Sequence, residues 1–327
     1  MIVVTGGAGF IGSNLVAGLE AQGRRDIVVC DRLGRDDKWR NIAKRGLADL
    51  IPPEALLDYL DRGDGIEAVL HLGAISATTE TDADLIIANN FRLSVDLWQR
   101  CARRAIPLIY ASSAATYGDG KAGFDDDASE DGLARLRPLN PYGWSKQLFD
   151  RWVAREIARG GKQPPQWAGL KFFNVYGPNE YHKGGQVSVV LKNWREVAAG
   201  GPAVLFRSHN PDYPDGGQKR DFVWVGDCVA VMLWLLANPT VSGLFNLGTG
   251  KARSFADLAA ALFAALKRAP DIHFVDTPLA IRDRYQYFTE ARMSRLRRAG
   301  YAAPFTALED GVARYVRDFL LADDPYL

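Results

Sequence analysis

Cysteine is scarce: three residues in a chain of 327, Cys30, Cys101 and Cys228, far apart and without a Cys-x-x-Cys pair. That excludes a disulfide-stapled secreted scaffold, and the thiols read as small buried groups in a reducing compartment. Histidine is nearly as rare, and His71, His182, His209 and His273 lack the spacing of metal ligands, so no metal is expected. Net charge is close to nil, with 40 Lys+Arg against 39 Asp+Glu. No global field therefore draws the protein to nucleic acid or to an anionic membrane, and the expected partner is a small molecule. No stretch reaches the roughly 18 consecutive apolar residues of a membrane span. Met1 runs into Ile2-Val3-Val4 without a basic region, a long apolar segment or a small-residue cleavage site. The expectation is a soluble, cytoplasmic protein.

What is present is ordinary globular material, 47% hydrophobic and 24% charged, and this rules out global disorder. The length suits about two domains of roughly 150 residues. Short apolar runs alternate with helix-length amphipathic stretches: Ile2-Val4, Ile27-Cys30, Ala68-Leu72 and Leu108-Ala111 read as buried parallel strands. This βα repetition predicts an α/β fold, a Rossmann-type doubly wound parallel sheet with its ligand crevice beyond the carboxyl ends of the strands. A further strand, Leu170-Val175, precedes an irregular stretch, Tyr176-Gly185, where substrate-specific structure is expected to begin. Segments Asp221-Val225 and Leu244-Leu247 read as a return to the first domain, while Phe255-Arg268 and Thr306-Leu321 have helical spacing. The expected division is 1–170 plus 222–247 for the dinucleotide, and 171–221 plus 248–327 as a smaller, sequence-discontinuous α/β substrate domain.

The first strand leads into Thr5-Gly6-Gly7-Ala8-Gly9-Phe10-Ile11-Gly12 and a helical pattern. Glycines at 6, 9 and 12 permit a tight turn, close approach of backbone to a pyrophosphate, and packing of helix on strand. Asp31 ends the second strand at the spacing this fingerprint requires. A carboxylate there accepts from ribose hydroxyls and by itself points to NAD, whereas Arg32, Arg35 and Lys38 beside it suit a 2′-phosphate. The expected cofactor is NADP, with NAD the other reading.

Two further motifs fall at the crevice: Ser112-Ser113 after the Leu108-Ala111 strand, and Asn140-Pro141-Tyr142-Gly143-Trp144-Ser145-Lys146. Pro141 suits the first turn of a helix capped by Asn140, so Tyr142 and Lys146 share one face. An ammonium beside a phenol eases its ionisation toward a useful acid/base range, and the Ser113 hydroxyl suits the substrate oxygen.

These motifs together resemble the extended branch of the short-chain dehydrogenase/reductase superfamily, over the whole chain. More narrowly, His71-Leu72-Gly73-Ala74, Ala88-Asn89-Asn90, Phe173-Asn174-Val175-Tyr176-Gly177-Pro178, His182-Lys183-Gly184, Lys219-Arg220-Asp221-Phe222-Val223 and Arg284-Tyr285-Gln286 are similar to the ADP-L-glycero-D-manno-heptose 6-epimerase family. The resemblance implies inversion at C6 of an ADP-bound heptose, through a transient 6-ketone and enzyme-bound NADP, for lipopolysaccharide core biosynthesis. It implies Tyr142 and Lys183 as opposed acid/base groups, Lys146 at the nicotinamide ribose and Ser113 on the reacting oxygen. It places Phe10, Ile11, Asp31, Arg32, Lys38, Leu72, Gly73, Ala74, Ile75, Ser76, Asn89, Lys146, Val175 and Lys183 at the cofactor. Asn174, Gly185, Lys192, Phe206, Arg207, Ser208, His209, Arg220 and Tyr285 would face the ADP-sugar, and the assembly would be a homo-oligomer, with a pentamer among the possibilities. Where family members often carry a second lysine for the 2′-phosphate, this chain has Pro52-Pro53, which leaves Arg32 to compensate. The competing readings are another nucleotide-sugar 4-epimerase or dehydratase, and a non-catalytic NADP-binding sensor. A dehydratase usually has an acid pair where Ala114-Ala115 stand, and a sensor would have lost Tyr142 or Lys146.

Overall fold

The computed structural model describes residues 1–282 and 285–327; Arg284 of the Arg-Tyr-Gln motif lies outside the described residues. Seven parallel strands form the central sheet, in the order Gly243–Leu247, Trp167–Phe172, Leu108–Ser113, Ala68–His71, Ile2–Thr5, Ile27–Cys30 and Asp49–Ile51. The inner strands are buried along their whole length because helices cover both faces, so the sequence shows continuous Val/Ile runs rather than alternation. Fully buried aliphatic side chains such as Val4, Leu15, Val29 and Leu70 contribute roughly 1.5–3 kcal/mol each. The chain runs outward from Ile2–Thr5, then returns to its other side at Ala68–His71. Ligands of such sheets bind where that reversal opens a crevice.

Two details differ from the sequence reading. Asp49–Ile51 adds an edge strand that had no signal, being three residues long with only Ile51 buried, and followed at once by Pro52-Pro53. The expected strand Leu170–Val175 is split at Phe173. Its first part, Trp167–Phe172, pairs with Gly243–Leu247 in the main sheet, whereas Asn174–Tyr176 changes partner to Phe222–Trp224. The latter strand has two faces: Val223 joins the core of the large sheet, while Phe222 and Trp224 enter a second core. That second core is built by the helices Val189–Ala198, Phe255–Ala265 and Leu308–Tyr315 over the parallel pair Ala203–Phe206 and Ile272–Val275.

Cys30, Cys101 and Cys228 are free and buried. Burial pushes the Cys30 and Cys101 thiols up to about 12, so neither is a nucleophile at neutral pH. Among the described residues no helix is long and apolar enough to cross a membrane.

Candidate active site

A cavity of about 850 Å³ opens over the reversal point of the sheet, between the two cores. Its floor is the glycine turn. Gly6 takes φ +67°, and a Cβ there would stand 2.6 Å from the Gly73 nitrogen, so only glycine lets the two crevice loops meet. A Cβ on Gly12 would collide with the Gly6 carbonyl oxygen. Gly9 caps the Phe10–Ala21 helix without any side-chain bond, leaving the first-turn N–H groups free for an anion.

Asp31 closes one end of the cavity. Its Oδ2 accepts from the Ala8 amide at 2.9 Å, and its Oδ1 accepts from the Arg32 amide at 2.8 Å and from Lys38 Nζ at 2.6 Å. Lys38 lines the cavity, whereas the Arg32 guanidinium turns away into an ion pair with Glu54.

The turn from Leu72 to Ser76 forms the opposite wall. Asn90, fully buried, clamps it: Oδ1 accepts from the Ile75 amide at 2.8 Å and Nδ2 donates to the Ile75 carbonyl at 2.9 Å. Asn89 instead donates to Leu85 O within its own helical turn. Beneath, the Thr5 hydroxyl donates to His71 Nδ1 at 2.7 Å and accepts from the Gly73 amide at 3.1 Å. His71 Nε2 donates to Ser94 Oγ, whose proton goes to the Asn90 carbonyl. Burial lowers the His71 pKa to about 3, so this chain of bonds stays neutral and of fixed polarity.

Tyr142 and Lys146 sit on the first turns of Pro141–Ala158, capped as expected by Asn140 Oδ1 on the Gly143 amide at 2.8 Å. Gly143 matters: a Cβ would lie 2.7 Å from Ala115 O and lift the helix from the Ser113 turn. Contrary to the expected easing by Lys146, burial raises the Tyr142 phenol above its ordinary value, and the group that opposes the rise is Ser113, through a hydrogen bond. Lys146 donates to Ala111 O at 2.8 Å, and burial lowers it to about 8, with Asp150 pulling the other way. Asp150 was not anticipated. Fully buried, it accepts from Ser112 Oγ at 2.7 Å and pairs with Lys171 at 3.3 Å; Lys171 also donates to Thr116 Oγ1 at 2.8 Å. Burial opposes charge on both members of this pair, and their mutual attraction offsets part of it.

Lys183 comes from the other side, on the turn Tyr181–Gln186, where Gly184 at φ +55° reverses the backbone. Its Nζ lies 5.3 Å from the centre of the Phe10 ring. Burial lowers the Lys183 ammonium below its usual range, opposed by the nearby carboxylate of Glu180. That direction suits a lysine that must accept a proton.

The cavity thus gathers Gly6, Gly9, Phe10, Ile11, Gly12, Asp31, Lys38, the Leu72 to Ser76 turn, Ser113, Tyr142, Lys146, Asn174, Val175, Lys183 and Gly185. Arg32 and Asn89 stand outside its wall, as do Lys192, Phe206, Arg207, Ser208, His209, Arg220 and Tyr285. The substrate set is not scattered, however. Arg220 lies between the rings of Phe255 and Tyr285, at 5.6 and 5.4 Å, and Phe255 lines the cavity. Phe206 packs edge-on to Tyr285 and beneath Lys192. Arg220 is buried, and its hydrogen bond among the described residues is to Lys219 O at 2.8 Å. It does not pair with Asp221, whose oxygens are taken by Thr249, Gly250 and Ala291. Ser208 and Arg207 are held by Asp215, and the His209 amide donates to Tyr287 Oη.

The model of the NAD dependent epimerase/dehydratase family matches residues 2–248. The ADP-L-glycero-D-manno-heptose-6-epimerase of Nitratidesulfovibrio vulgaris (strain DP4) is 52% identical over 330 residues, covering 100% of both chains. That of Fusobacterium nucleatum subsp. nucleatum is 47% identical over 336 residues, again covering 100% of both. The crystal structure of the Helicobacter pylori ADP-L-glycero-D-manno-heptose-6-epimerase superposes with a TM-score of 0.80 at 26% identity, covering 97% of this chain and 95% of that one. Fold, glycine turn and Tyr-x-x-x-Lys helix agree with this likeness, and the chain belongs to the NAD dependent epimerase/dehydratase family, in the branch of the ADP-L-glycero-D-manno-heptose-6-epimerases.

Proposed function

We propose that the protein inverts C6 of the heptose in ADP-D-glycero-D-manno-heptose to give ADP-L-glycero-D-manno-heptose, with NADP recycled in each turnover. One observation carries the two-sided chemistry: Tyr142 and Lys183, on separate elements, line a single cavity that begins at a dinucleotide turn. Inversion needs a proton acceptor for a hydroxyl on either face of C6, and two unlike groups on different elements supply it.

A nicotinamide dinucleotide fits the residues present. The bare helix start at Gly9 and the glycine floor would admit the pyrophosphate, and Lys146, on the wall of the same cavity, would hold the ribose. Held there, the nicotinamide would supply a reversible hydride acceptor for the oxidation of C6 and its re-reduction from the other face. The rest falls to the protein. Tyr142 or Lys183 takes the hydroxyl proton, Ser113 holds the oxygen, and the apolar walls Phe173, Val187 and Phe222 exclude water. NADP is favoured over NAD because Lys38, on the cavity wall and paired with Asp31, brings a cation to the place a 2′-phosphate would take. Arg220, a buried guanidinium that among the described residues has no carboxylate in its hydrogen bonds, suits the substrate diphosphate. In this reading residues 1–170 with 222–247 hold the cofactor, and 171–221 with 248–327 hold the sugar nucleotide. The cytoplasm as its location and a homo-oligomeric assembly belong to the same proposal.

The test is to incubate the purified protein with ADP-D-glycero-D-manno-heptose and follow the C6 configuration by NMR. Equilibration of the two epimers is expected; no conversion by protein shown to carry NADP would transfer the reading to another nucleotide sugar.

A further inference from the structure

Lys183 sits on a short turn with no sheet or long helix to fix it. The turn is instead tied to the dinucleotide loop by two buried asparagines. Asn179 adopts φ +71°, and asparagine is among the few side chains that tolerate that region. Its carbonyl accepts from Asn41 Nδ2 at 3.0 Å, and its own Nδ2 donates to Ser13 Oγ at 3.0 Å, on the first turn of the cofactor helix. Asn41 Nδ2 is shared with Ala8 O at 2.9 Å, inside the glycine turn, and with Nδ1 of His182, next to Lys183, at 3.1 Å. Asn14, from the same helix, donates to Pro178 O at 3.0 Å. The outer side is sealed by the Leu327 amide, which donates to Asn179 Oδ1 at 3.0 Å, and by Tyr181 Oη on Pro325 O at 2.8 Å. These bonds tie the 178–182 segment and Asn41 to the glycine turn, to the Phe10–Ala21 helix or to residues 325–327.

We propose that Asn179 and Asn41 are positioning residues that hold Lys183 in register with the cofactor, so that one backbone loop sets both the hydride acceptor and the second acid/base group. The inference rests on Lys183 being that second group. The first group, Tyr142, is positioned by its own helix and does not depend on this bridge.

The test uses the full chain loaded with NADP. Asn179→Gly keeps the backbone conformation and removes the amide. Each pure epimer is mixed with enzyme in turn, and its oxidation is followed in a single turnover through the near-ultraviolet absorbance of the reduced nicotinamide. Oxidation of the epimer whose C6 hydroxyl faces Lys183 should fall about 100-fold, the scale of a 1 Å misplacement, while oxidation of the other stays within about twofold. Two readouts besides activity accompany it. The affinity for NADPH, read by fluorescence titration, should stay within about threefold, a change of less than about 1 kcal/mol. A crystal structure of the variant should show Lys183 Nζ displaced from the Phe10 ring. Equal loss for both epimers, or loss of NADPH affinity with Lys183 in place, would overturn the proposal and make the bridge merely structural. Lys183→Met run alongside separates the two ideas: if it oxidises both epimers at the wild-type rate, the assignment of Lys183 itself fails, whatever Asn179→Gly does.

Discussion

The two proposed acid/base groups of this site are built in opposite ways. Tyr142 stands on an 18-residue helix whose Asn140 cap, Pro141 start and Gly143 contact fix it through neighbours in sequence. Lys183 stands on a six-residue turn held by Asn14, Asn41 and the 325–327 strap, from segments well over a hundred residues away. Electrostatics differ as well. Asp150, beside Lys146, also pairs with Lys171, whereas Glu180, the buried carboxylate beside Lys183, accepts from the neutral hydroxyls of Ser188 and Tyr315. Both lysines are lowered by burial and held back by a buried carboxylate, Asp150 for Lys146 and Glu180 for Lys183.

The sharpest way to break this comparison is to remove each group. Tyr142→Phe should lower the rate of C6 inversion by about 100- to 10,000-fold, the usual share of an acid/base group, with NADP still bound. Lys171→Met should come next in severity. It leaves Asp150 buried without its cation, and a loss of about 3–5 kcal/mol in urea unfolding is expected, with no comparable loss from substitutions in the Lys183 turn. A midpoint close to wild type would show that the pair is not the foundation of the Tyr142 side.

pH sharpens the contrast. Lys146 is lowered to about 8 by burial, so it is charged below that pH and neutral above it. The rate should therefore fall as pH rises through about 8. Asp150 raises Lys146, so Asp150→Asn should move that falling limb to lower pH, and an unmoved limb would assign it to another group. The smallest effect concerns the cofactor's far end. Glu54→Ala frees Arg32 from an exposed ion pair, and NADP should bind more tightly relative to NAD by at most about 1 kcal/mol, roughly fivefold, in competitive titration.

What could be read from the sequence follows the same division. The inner strands, the glycine turn, Asp31 and the Tyr142–Lys146 helix are encoded by local patterns: apolar runs, glycine spacing and an i, i+4 pair next to a cap. Asn90 and Asp150 carried only weak local signals, an asparagine pair within a helix and an acid one turn beyond Lys146. Lys183 could be singled out only by family resemblance, since nothing near it in sequence distinguishes it from a surface lysine. Arg32 was expected at the 2′-phosphate for its charge, but a side chain that long is placed by its partners, and Glu54 lies on the short turn Pro53–Ala55 that follows the neighbouring strand. The split at Phe173 was equally hidden, because the exchange of strand partners depends on Phe222–Trp224, some fifty residues onward.

The central claim is that two different groups act on opposite faces of C6. It is tested most directly by single-turnover oxidation of each pure epimer by Tyr142→Phe and by Lys183→Met. The account predicts opposite asymmetry: each variant loses oxidation of one epimer and keeps the other, and the epimer lost differs between them. Loss of the same epimer in both variants, or of both epimers in Tyr142→Phe alone, would contradict it.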